Sequence, residues 1–246
     1  MARPYLSVII PAWNEASRLP LTLIDIDRHL AVQDFTSEII VALSPSADNS
    51  AEILNRFQSI IKNLKVITLI ENQGKGFALR QGMQAARGVY RLTMEADNST
   101  AVIEVAKMLP LLTAATDPAA VVVGSRYLPG SNIDPKEPWL TRCRSAIQRT
   151  VISSFITRKL SDPTSAFICL SAHTAETIIP QTVTNGWALE TEILARAQRM
   201  NINVKEVPVY WSYDLGSHSR SSLLTILEYI RLWWHLLLSP RSRKQA

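Results

Sequence analysis

The sequence predicts an α/β protein built on a mostly parallel sheet, and two observations support this. Short apolar runs alternate with amphipathic helical segments through the first half of the chain. Residues 120–124 read Ala-Val-Val-Val-Gly, the unbroken apolar pattern of a strand that is buried on both faces. Repeated strand–helix units of this kind form parallel sheets with right-handed crossovers. Ligands of such sheets bind beyond the carboxyl ends of the strands.

The predicted elements follow one another with short connections. Strands are expected over residues 5–11, 38–43, 66–70, 90–94 and 120–124, with helices over 18–30, 50–61, 76–86 and 102–112 between them. In the first helix, Leu19, Leu23, Ile26 and Leu30 share one face. After residue 126 we expect a proline-rich loop over 129–138, helices over 140–160 and 187–200, and strands over 166–170 and 203–211. Pro208 interrupts the last strand and therefore predicts a sheet edge.

Composition restricts the class of protein. The 246 residues are 47% hydrophobic and 19% charged, enough for one large domain or one and a half. The net charge of +5 lies partly in the tail Arg241-Ser242-Arg243-Lys244, which suits anionic lipid or phosphate partners. The sequence shows no basic stripe interleaved with aromatic residues, which argues against a nucleic-acid partner. Cys143 and Cys169 are far apart and lack metal-site spacing, so we expect free thiols in a reducing compartment.

Two short motifs point to a specific chemistry. Asn72-Gln73-Gly74-Lys75-Gly76 is a glycine-rich turn that opens a helix, and helix N-termini bind phosphate through their free N–H groups. Glu95-Ala96-Asp97 places two carboxylates at the end of an apolar strand, where they can hold a divalent cation that binds a diphosphate. Further polar clusters, at Asn14-Glu15, 44–48 and Ser125-Arg126, follow other predicted strands. Together these features favour an enzyme that acts on nucleotide sugars.

Several charged residues and glycines of the chain have a purely structural interpretation beside a functional one, and the sequence leaves both open. The alternatives are a helix-dipole charge for Glu15, plain turns for Gly74, Gly76 and Asp162, and solvent-exposed helix positions for Glu190, Glu192, Arg142, Arg144 and Arg149.

The residue pattern over 222–238 predicts an amphipathic C-terminal helix. Thr225, Glu228, Arg231 and His235 form a thin polar stripe, and most other positions are Leu, Ile, Tyr or Trp. The segment is short for a membrane span and carries two charged residues. Trp233-Trp234 and the basic tail favour a helix that lies in a membrane interface, and the alternative is a buried core or dimer helix. We therefore divide the chain into a domain over 1–221 and a membrane-surface helix with its basic tail over 222–246.

A series of segments occurs in the order and spacing of one enzyme family. The segments are Ser7-Val8-Ile9-Ile10-Pro11-Ala12-Trp13-Asn14-Glu15, residues 72–83, Gly124-Ser125-Arg126, residues 162–167, residues 187–194 and Glu206-Val207-Pro208-Val209. The series resembles the family-2 inverting glycosyltransferases, in particular the polyprenyl-phosphate branch of dolichyl-phosphate glucose and mannose synthases. This resemblance implies a GT-A fold, a nucleotide-diphosphate sugar donor, Mg²⁺ or Mn²⁺ as cofactor, and a polyprenyl phosphate acceptor at a membrane surface.

The resemblance also implies roles for individual residues. The catalytic candidates are Asp97, Asp162 and Arg126. The candidates for donor binding are Pro11, Trp13, Glu15, Asp48, Lys75 and Glu95. The metal candidates are Glu95, Asp97 and Ser99, and the candidates for the acceptor phosphate are Arg142, Ser145, Arg149 and Arg220. Because a phosphate acceptor is already an anion, transfer to it depends more on positioning and charge stabilisation than on a strong base.

The sequence departs from the family pattern in two acidic motifs. Leu43-Ser44 stand where the family has two acids, and Glu95 replaces the first acid of an Asp-x-Asp pair. The run over 95–100 resembles the glucose-type synthases more than the mannose-type ones, which favours UDP-glucose as donor.

Three functional hypotheses follow. The leading one is an inverting transfer of a hexose to polyprenyl or dolichyl phosphate by a peripheral protein at the cytoplasmic face of a membrane. The second is a degenerate, non-catalytic member of the family that binds lipid phosphate or a partner protein, in line with the missing acids. The third is an enzyme of the same fold with a different acceptor, such as a cell-wall glycan. The oligomeric state is open, with a homo-oligomer as one option.

Overall fold

The computed structural model describes residues 3–135, 138–212 and 223–238. The strands in these ranges are β1 (Leu6–Ala12), β2 (Ser37–Leu43), β3 (Leu64–Thr68), β4 (Tyr90–Thr93), β5 (Val121–Ser125), β6 (Asn132–Asp134), β7 (Ile168–Ser171), β8 (Val204–Pro208) and β9 (Tyr210–Ser212). The α-helices are α1 (Leu19–Ala31), α2 (Ser50–Ile60), α3 (Lys75–Ala85), α4 (Leu109–Leu112), α5 (Trp139–Phe155), α6 (Ala172–Ile178), α7 (Leu189–Arg199) and α8 (Leu223–Leu238). Short 3₁₀ helices cover Val102–Lys107 and Ile179–Gln181.

A seven-stranded central sheet has the strand order β3-β2-β1-β4-β7-β5-β8. Strand β7 runs antiparallel to β4 and β5, and the other neighbouring strands are parallel. The predicted mostly parallel α/β fold is therefore confirmed. β1 and β2 pair from Leu6 opposite Ser37 to Ala12 opposite Leu43, so their carboxyl ends are level. The loops that follow these strands meet at one edge of the sheet.

Helices cover both faces of the sheet because β1 is apolar on both of its faces. Val8 and Ile10 pack with residues of α1 and α2, whereas Ile9 packs on the opposite face with residues of α3. α3 approaches the sheet closely at Gly82, where a Cβ would lie 2.5 Å from the side chain of Ile9. This close contact fixes the helix that begins at Lys75 relative to the sheet.

Parts of the second half differ from the prediction. Residues 102–112 form a 3₁₀ helix followed by α4 instead of one helix. The predicted loop over 129–138 contains β6, which pairs in parallel with β9 in a second, two-stranded sheet. The strand predicted over 203–211 is two strands in different sheets, and Pro208 ends the first of them. The edge position predicted from Pro208 is confirmed, because β8 is the last strand of the central sheet. Helix α6 was not predicted, and α5 ends earlier than expected, at Phe155.

The C-terminal helix α8 turns part of its polar stripe toward the protein. Leu232 and Leu236 pack with Ala188 and Ala195, and Thr225 is also buried. Most of the other Leu, Ile and Trp side chains of α8 are exposed. This orientation is unusual, because a surface helix generally buries its apolar face and exposes its polar one. In the described part of the chain, no helix combines the length and the hydropathy that crossing a membrane requires.

Candidate active site

Two loops at the carboxyl edge of the sheet hold each other through hydrogen bonds. The carboxylate of Asp48 accepts bonds from the amides of Ala16 and Ser50, at 2.9 and 3.0 Å, and from the Ser50 hydroxyl at 2.6 Å. Asn14 has a φ of 54°, and its side chain accepts a bond from the amide of Ala47. Burial acts to raise the pKa of Asp48, but the bonds from Ser50 and Ala16 outweigh it and lower the pKa. Asp48 is therefore part of the framework that shapes this edge.

The predicted donor residues that follow β1 lie at different depths. Pro11 is buried inside β1, opposite Ala42 of β2. Trp13 is exposed, and Glu15 forms an ion pair with Arg18 at 3.0 Å. Burial raises the pKa of Glu15 in spite of this pair. Trp13 and Glu15 thus border the sheet edge, and Pro11 lies in the strand beneath it.

The glycine-rich turn before α3 is shaped by its contact with residues 185–187. Gly74 has a φ of +110°, which glycine adopts without steric cost. A Cβ at Gly74 would lie 2.6 Å from the carbonyl oxygen of Asn185, and a Cβ at Gly76 would lie 2.6 Å from that of Gly186. Both glycines are therefore required by the close approach of two backbone segments, so they do more than form a turn.

Lys75 connects this turn to two carboxylates. Its ammonium lies 3.1 Å from Glu95 and 2.8 Å from Glu190, and 4.6 Å from the centre of the Trp187 ring. Burial acts to lower the pKa of Lys75, but Glu190 and Glu95 outweigh it and raise the pKa. Lys75 is therefore a fixed, charged group beside the carboxylates that end β4.

Glu95, Asp97 and Ser99 form an oxygen-rich cluster after β4. The Ser99 hydroxyl lies 2.7 Å from Asp97 and 3.3 Å from Glu95, and the Ser99 amide donates to Asp97 at 3.0 Å. Burial and the neighbouring Glu95 raise the pKa of Asp97. Burial also acts to raise the pKa of Glu95, but Lys75 outweighs it and lowers the pKa. Asp97 is thus the carboxylate whose negative charge is poorly compensated, and a bound cation would relieve it.

These oxygens suit a hard divalent cation, as part of its coordination shell. In the described ranges, no group of three or more His, Cys, Asp or Glu side chains is arranged around one metal position. Mg²⁺ is commonly held by one or two carboxylates and completed by waters and substrate phosphates, and Mn²⁺ prefers similar oxygen ligands. The donor set therefore fits a cation that binds together with a diphosphate.

Arg126 and Asp162 form a buried, bidentate ion pair. Nε and Nη2 of Arg126 donate to the two carboxylate oxygens of Asp162 at 2.7 and 2.8 Å, and the Arg126 amide adds a third bond. Asp162 is fully buried, and Glu206 accepts bonds from the amides of Ser161 and Asp162. Burial acts to raise the pKa of Asp162, but Arg126 outweighs it and lowers the pKa. Asp162 therefore orients Arg126, and its predicted direct part in catalysis stays a prediction.

A groove of about 590 Å³ opens between α5 and the loops that follow β5, and three arginines line it. They are Arg126, Arg142 and Arg149. The guanidinium of Arg149 lies 3.8 Å from the centre of the Tyr127 ring, so the cation rests on an aromatic face. Among the residues the structure describes, no acid lies within ion-pair distance of Arg142 or Arg149. As far as the structure describes the chain, Arg142 and Arg149 therefore give the groove positive charge that no acid pairs with.

The structure brings together some of the predicted acceptor residues and leaves others apart. Arg142 and Arg149 line the groove with Arg126, whereas Ser145 lies on α5 outside the lining. Arg220 lies outside the described residues. Arg144 is exposed on the same helix and does not line the groove.

The interpretation of Glu190 and Glu192 as exposed helix residues is wrong. Their exposed fractions are 3% and 0%. Glu190 pairs with Lys75, and Glu192 pairs with Arg196 and accepts a bond from the amide of Thr184. Helical spacing predicts a polar outer face for two acids in a first turn, but α7 is buried on nearly all sides. Glu190 and Glu206 lie in two of the segments that resemble the glycosyltransferase family, and this was the signal that could have identified them. No role was predicted for either residue.

The end of β2 is closed to solvent. Leu43 and Ser44 are 3% and 2% exposed, and the Ser44 amide donates to the carbonyl of Ala12 at 2.9 Å. Neither side chain carries a charge, so the end of β2 supplies no carboxylate, and Lys75 pairs with Glu190 and Glu95 instead.

Comparison with known proteins gives consistent matches. Residues 7–174 match the model of the family described as Glycosyl transferase family 2. The chain is similar to a dolichyl-phosphate beta-glucosyltransferase of Dictyostelium discoideum, with 29% identity over 246 residues that cover 95% of this chain and 75% of that protein. A protein of the same name from Saccharomyces cerevisiae is 29% identical over 228 residues, which cover 87% and 68% of the two chains.

Solved structures resemble this fold at low sequence identity. S. aureus TarS 1-349 in complex with UDP-GlcNAc has a TM-score of 0.66 at 14% identity, covering 97% of this chain and 68% of that one. Glucosyl-3-phosphoglycerate synthase from Mycobacterium tuberculosis, in complex with Mn²⁺, UDP and phosphoglyceric acid, has a TM-score of 0.64 at 18% identity, covering 95% and 78%. At these identities the likeness shows the fold, which is GT-A-like.

Proposed function

This chain belongs to glycosyl transferase family 2 and is a glycosyltransferase, and from that premise we propose that it transfers glucose from UDP-glucose to dolichyl phosphate or a related polyprenyl phosphate, with inversion at the anomeric carbon. The observation that carries the proposal is a groove lined by three arginines beside a helix, α5, that exposes several large apolar side chains.

The groove suits an acceptor with an anionic head and an apolar tail. Arg126, Arg142 and Arg149 supply cations for a phosphate group. The helix that carries two of them exposes an apolar set consisting of Trp139, Leu140, Ile147, Val151 and Phe155. A water-soluble acceptor would not require such a surface. The names of the Dictyostelium and yeast relatives support the same class of acceptor.

UDP-glucose as the donor is supported by the charge of the site and by the relatives and solved neighbours. Lys75, in the first turn of α3, and the positive end of the helix dipole provide positive charge for a diphosphate. Uridine as the base is supported by the solved neighbours that hold UDP or UDP-GlcNAc. Glucose as the sugar is supported by the names of the relatives, which are glucosyltransferases.

A divalent cation, Mg²⁺ or Mn²⁺, fits beside Glu95, Asp97 and Ser99. When bound, such a cation stabilises the negative charge that develops on the leaving diphosphate. Asp97 is the ligand we expect to matter most, because Lys75 already compensates Glu95. The Mycobacterium synthase was solved with Mn²⁺ and UDP, which supports this choice of ions.

The residues of this chain meet the remaining demands of an inverting transfer. An oxygen of the acceptor phosphate forms a bond to the anomeric carbon while the bond from that carbon to the diphosphate breaks. Arg142 and Arg149 hold the acceptor phosphate, and Asp162 keeps Arg126 in place beside it. Lys75 faces the departing diphosphate. The nucleophile is already an anion, so electrostatic positioning replaces a strong general base.

We place this site at a membrane surface. Phe155 of α5 and Trp233 of α8 are in ring contact, with 6.4 Å between their centroids, so the apolar surfaces of the two helices adjoin. Exposed Trp and Leu side chains next to arginines are typical of helices that lie in a membrane interface. Cys143 and Cys169 are both free thiols, which suits a reducing compartment. A peripheral position at the cytoplasmic face accounts for these features.

A transfer assay with phospholipid vesicles that contain dolichyl phosphate tests the proposal. Arg142→Gln and Arg149→Gln are each expected to raise the KM for dolichyl phosphate about tenfold, because each removes a charge-assisted hydrogen bond to phosphate. The Kd for UDP-glucose should stay unchanged. Arg144→Gln is the matched control, since Arg144 lies on the same helix outside the groove.

The other outcomes of this assay separate the competing hypotheses. Binding of UDP-glucose without transfer to dolichyl phosphate would point to a different acceptor, such as a glycan. Failure of the folded protein to bind UDP-glucose or GDP-mannose would point to the non-catalytic alternative, which the buried Leu43 and Ser44 would then explain.

A further inference from the structure

The carboxylate of Glu228, on α8, binds the backbone turn that leads into α7. Its two oxygens accept hydrogen bonds from the amides of Gly186 and Trp187 at 2.7 and 2.9 Å. Free amides and the helix dipole favour a carboxylate at this position. Burial raises the pKa of Glu228 in spite of these bonds, so the carboxylate is held in partly desolvated surroundings. The C-terminal helix is therefore tied to residues 185–187 by a polar contact.

The same three residues contact the donor side of the site. The amide of Phe77, in the first turn of α3, donates to the carbonyl of Asn185 at 2.9 Å. A Cβ at Gly76 would lie 2.6 Å from the carbonyl oxygen of Gly186, and the Trp187 ring lies under the ammonium of Lys75. Residues 185–187 are thus held between α8 on one side and the turn that carries Lys75 on the other.

We propose that Glu228 is a positioning residue for the donor site, which holds residues 185–187 and thereby keeps Lys75 and the first turn of α3 in the geometry that binds the donor diphosphate. Glu228 acts through this loop and touches no reacting atom. The inference rests on the proposed function for the identity of the donor. It also connects the helix that we assign to the membrane surface with the nucleotide side of the site.

Gly186 offers an independent way to break the contact. A Cβ at Gly186 would lie 2.5 Å from an oxygen of Glu228, which is the flexible end of a side chain. Gly186→Ala is therefore expected to displace the carboxylate and to preserve the fold. Glu228→Ala removes the carboxylate, whereas Glu228→Gln keeps one acceptor oxygen and turns N–H donors toward the second amide.

The test uses the full chain, UDP-glucose and Mn²⁺. Glu228→Ala and Gly186→Ala are expected to raise the Kd and KM for UDP-glucose about tenfold, because the charge-assisted contact that holds residues 185–187 is lost. Hydrogen exchange at the amide of Phe77 should accelerate in both variants, and the KM for dolichyl phosphate should not change. Glu228→Gln should give an intermediate effect. Glu52→Gln, an exposed carboxylate on α2, is the control variant.

The outcomes distinguish the inference from the proposed function. Variants that lower the unfolding temperature but leave the donor Kd and the exchange of Phe77 unchanged would overturn the inference. If Glu228→Ala does not fold, Gly186→Ala decides by the same readouts. A wild-type protein that binds no UDP-glucose would refute the proposed donor, and the exchange of Phe77 in the variants would then test the loop contact by itself.

Discussion

The two charged regions of this molecule are arranged in opposite ways. At the donor edge, Lys75 lies between Glu95 and Glu190, and Arg126 forms an ion pair with Asp162. In the groove, Arg142 and Arg149 have no acidic partner among the described residues. In the first set, each cation is paired with a carboxylate of the protein. In the second set, no acid of the described ranges pairs with either arginine, so we expect both to bind the anionic substrate.

Burial explains why the two regions differ. Asp162 and Glu190 are buried, and an unpaired charge in a buried position costs several kcal/mol. Each of these carboxylates therefore needs a cation beside it. Arg142 is exposed and can remain without a partner at little cost, because solvent screens it. Substitutions in the first region should therefore affect folding, and substitutions in the groove should affect mainly substrate binding.

The largest expected effect is on stability. Asp162→Asn leaves the half-buried Arg126 without its counter-charge and should lower the free energy of unfolding by about 3–5 kcal/mol. Chemical denaturation at neutral pH measures this. Asp34→Asn, which changes an exposed carboxylate, should stay close to wild type. A loss below 1 kcal/mol, a value typical of surface pairs, would remove the distinction between the two regions.

The same variant has a defined pH dependence. The pKa of Asp162 is lowered in the folded protein, so its stabilising contribution is present above the unfolded-state pKa of about 3.9. This contribution is lost as the pH falls from there through the lowered folded-state pKa. The difference between wild type and Asp162→Asn should therefore be constant near neutral pH and should shrink in acid. A difference that does not change with pH would contradict this assignment.

The next effect is on catalysis at the donor edge. Asp97→Asn should lower kcat on the order of 100- to 1000-fold and remove the dependence of UDP-glucose binding on Mn²⁺. Since burial and Glu95 raise the pKa of Asp97, the wild-type protein should lose this dependence at a higher pH than an ordinary Asp would. Calorimetric titration with and without Mn²⁺ measures the binding effect and the transfer assay measures kcat, with Asp34→Asn as control in both. Unchanged affinity in the variant would place the metal ligand elsewhere.

The smallest expected effect concerns the apolar surface beside the groove. Leu224→Ser on α8 should weaken binding to phosphatidylcholine vesicles that contain phosphatidylserine by about fivefold to tenfold, because part of a Leu side chain no longer enters the bilayer. Leu21→Ser on α1 is the matched control, because Leu21 and Leu224 are 74% and 76% exposed. Vesicle sedimentation compares the two. Equal effects of both substitutions would show that α8 has no preference for the membrane.

The parallel half of the fold could be predicted because its signals are local. The apolar run of β1, the Leu and Ile spacing of α1 and the glycine turn at Gly74 each identify an element without reference to the rest of the chain. The pairing of β6 with β9 could not be predicted, because three-residue strands have no measurable periodicity and join distant segments. The paired roles of Glu190 and Asp162 were missed for a similar reason, since each depends on a cation far away in sequence.

By itself, the sequence determined a parallel α/β core, a lysine-bearing glycine turn and an acid pair at the end of a strand, because these are properties of short segments. The tertiary structure alone decided which charges are neutralised. It also decided that Glu190 and Glu192 are internal, and that α8 directs Thr225 and Glu228 inward and its apolar side outward. These outcomes depend on burial and on partners contributed by other elements, and the free energy of a charge is set by both.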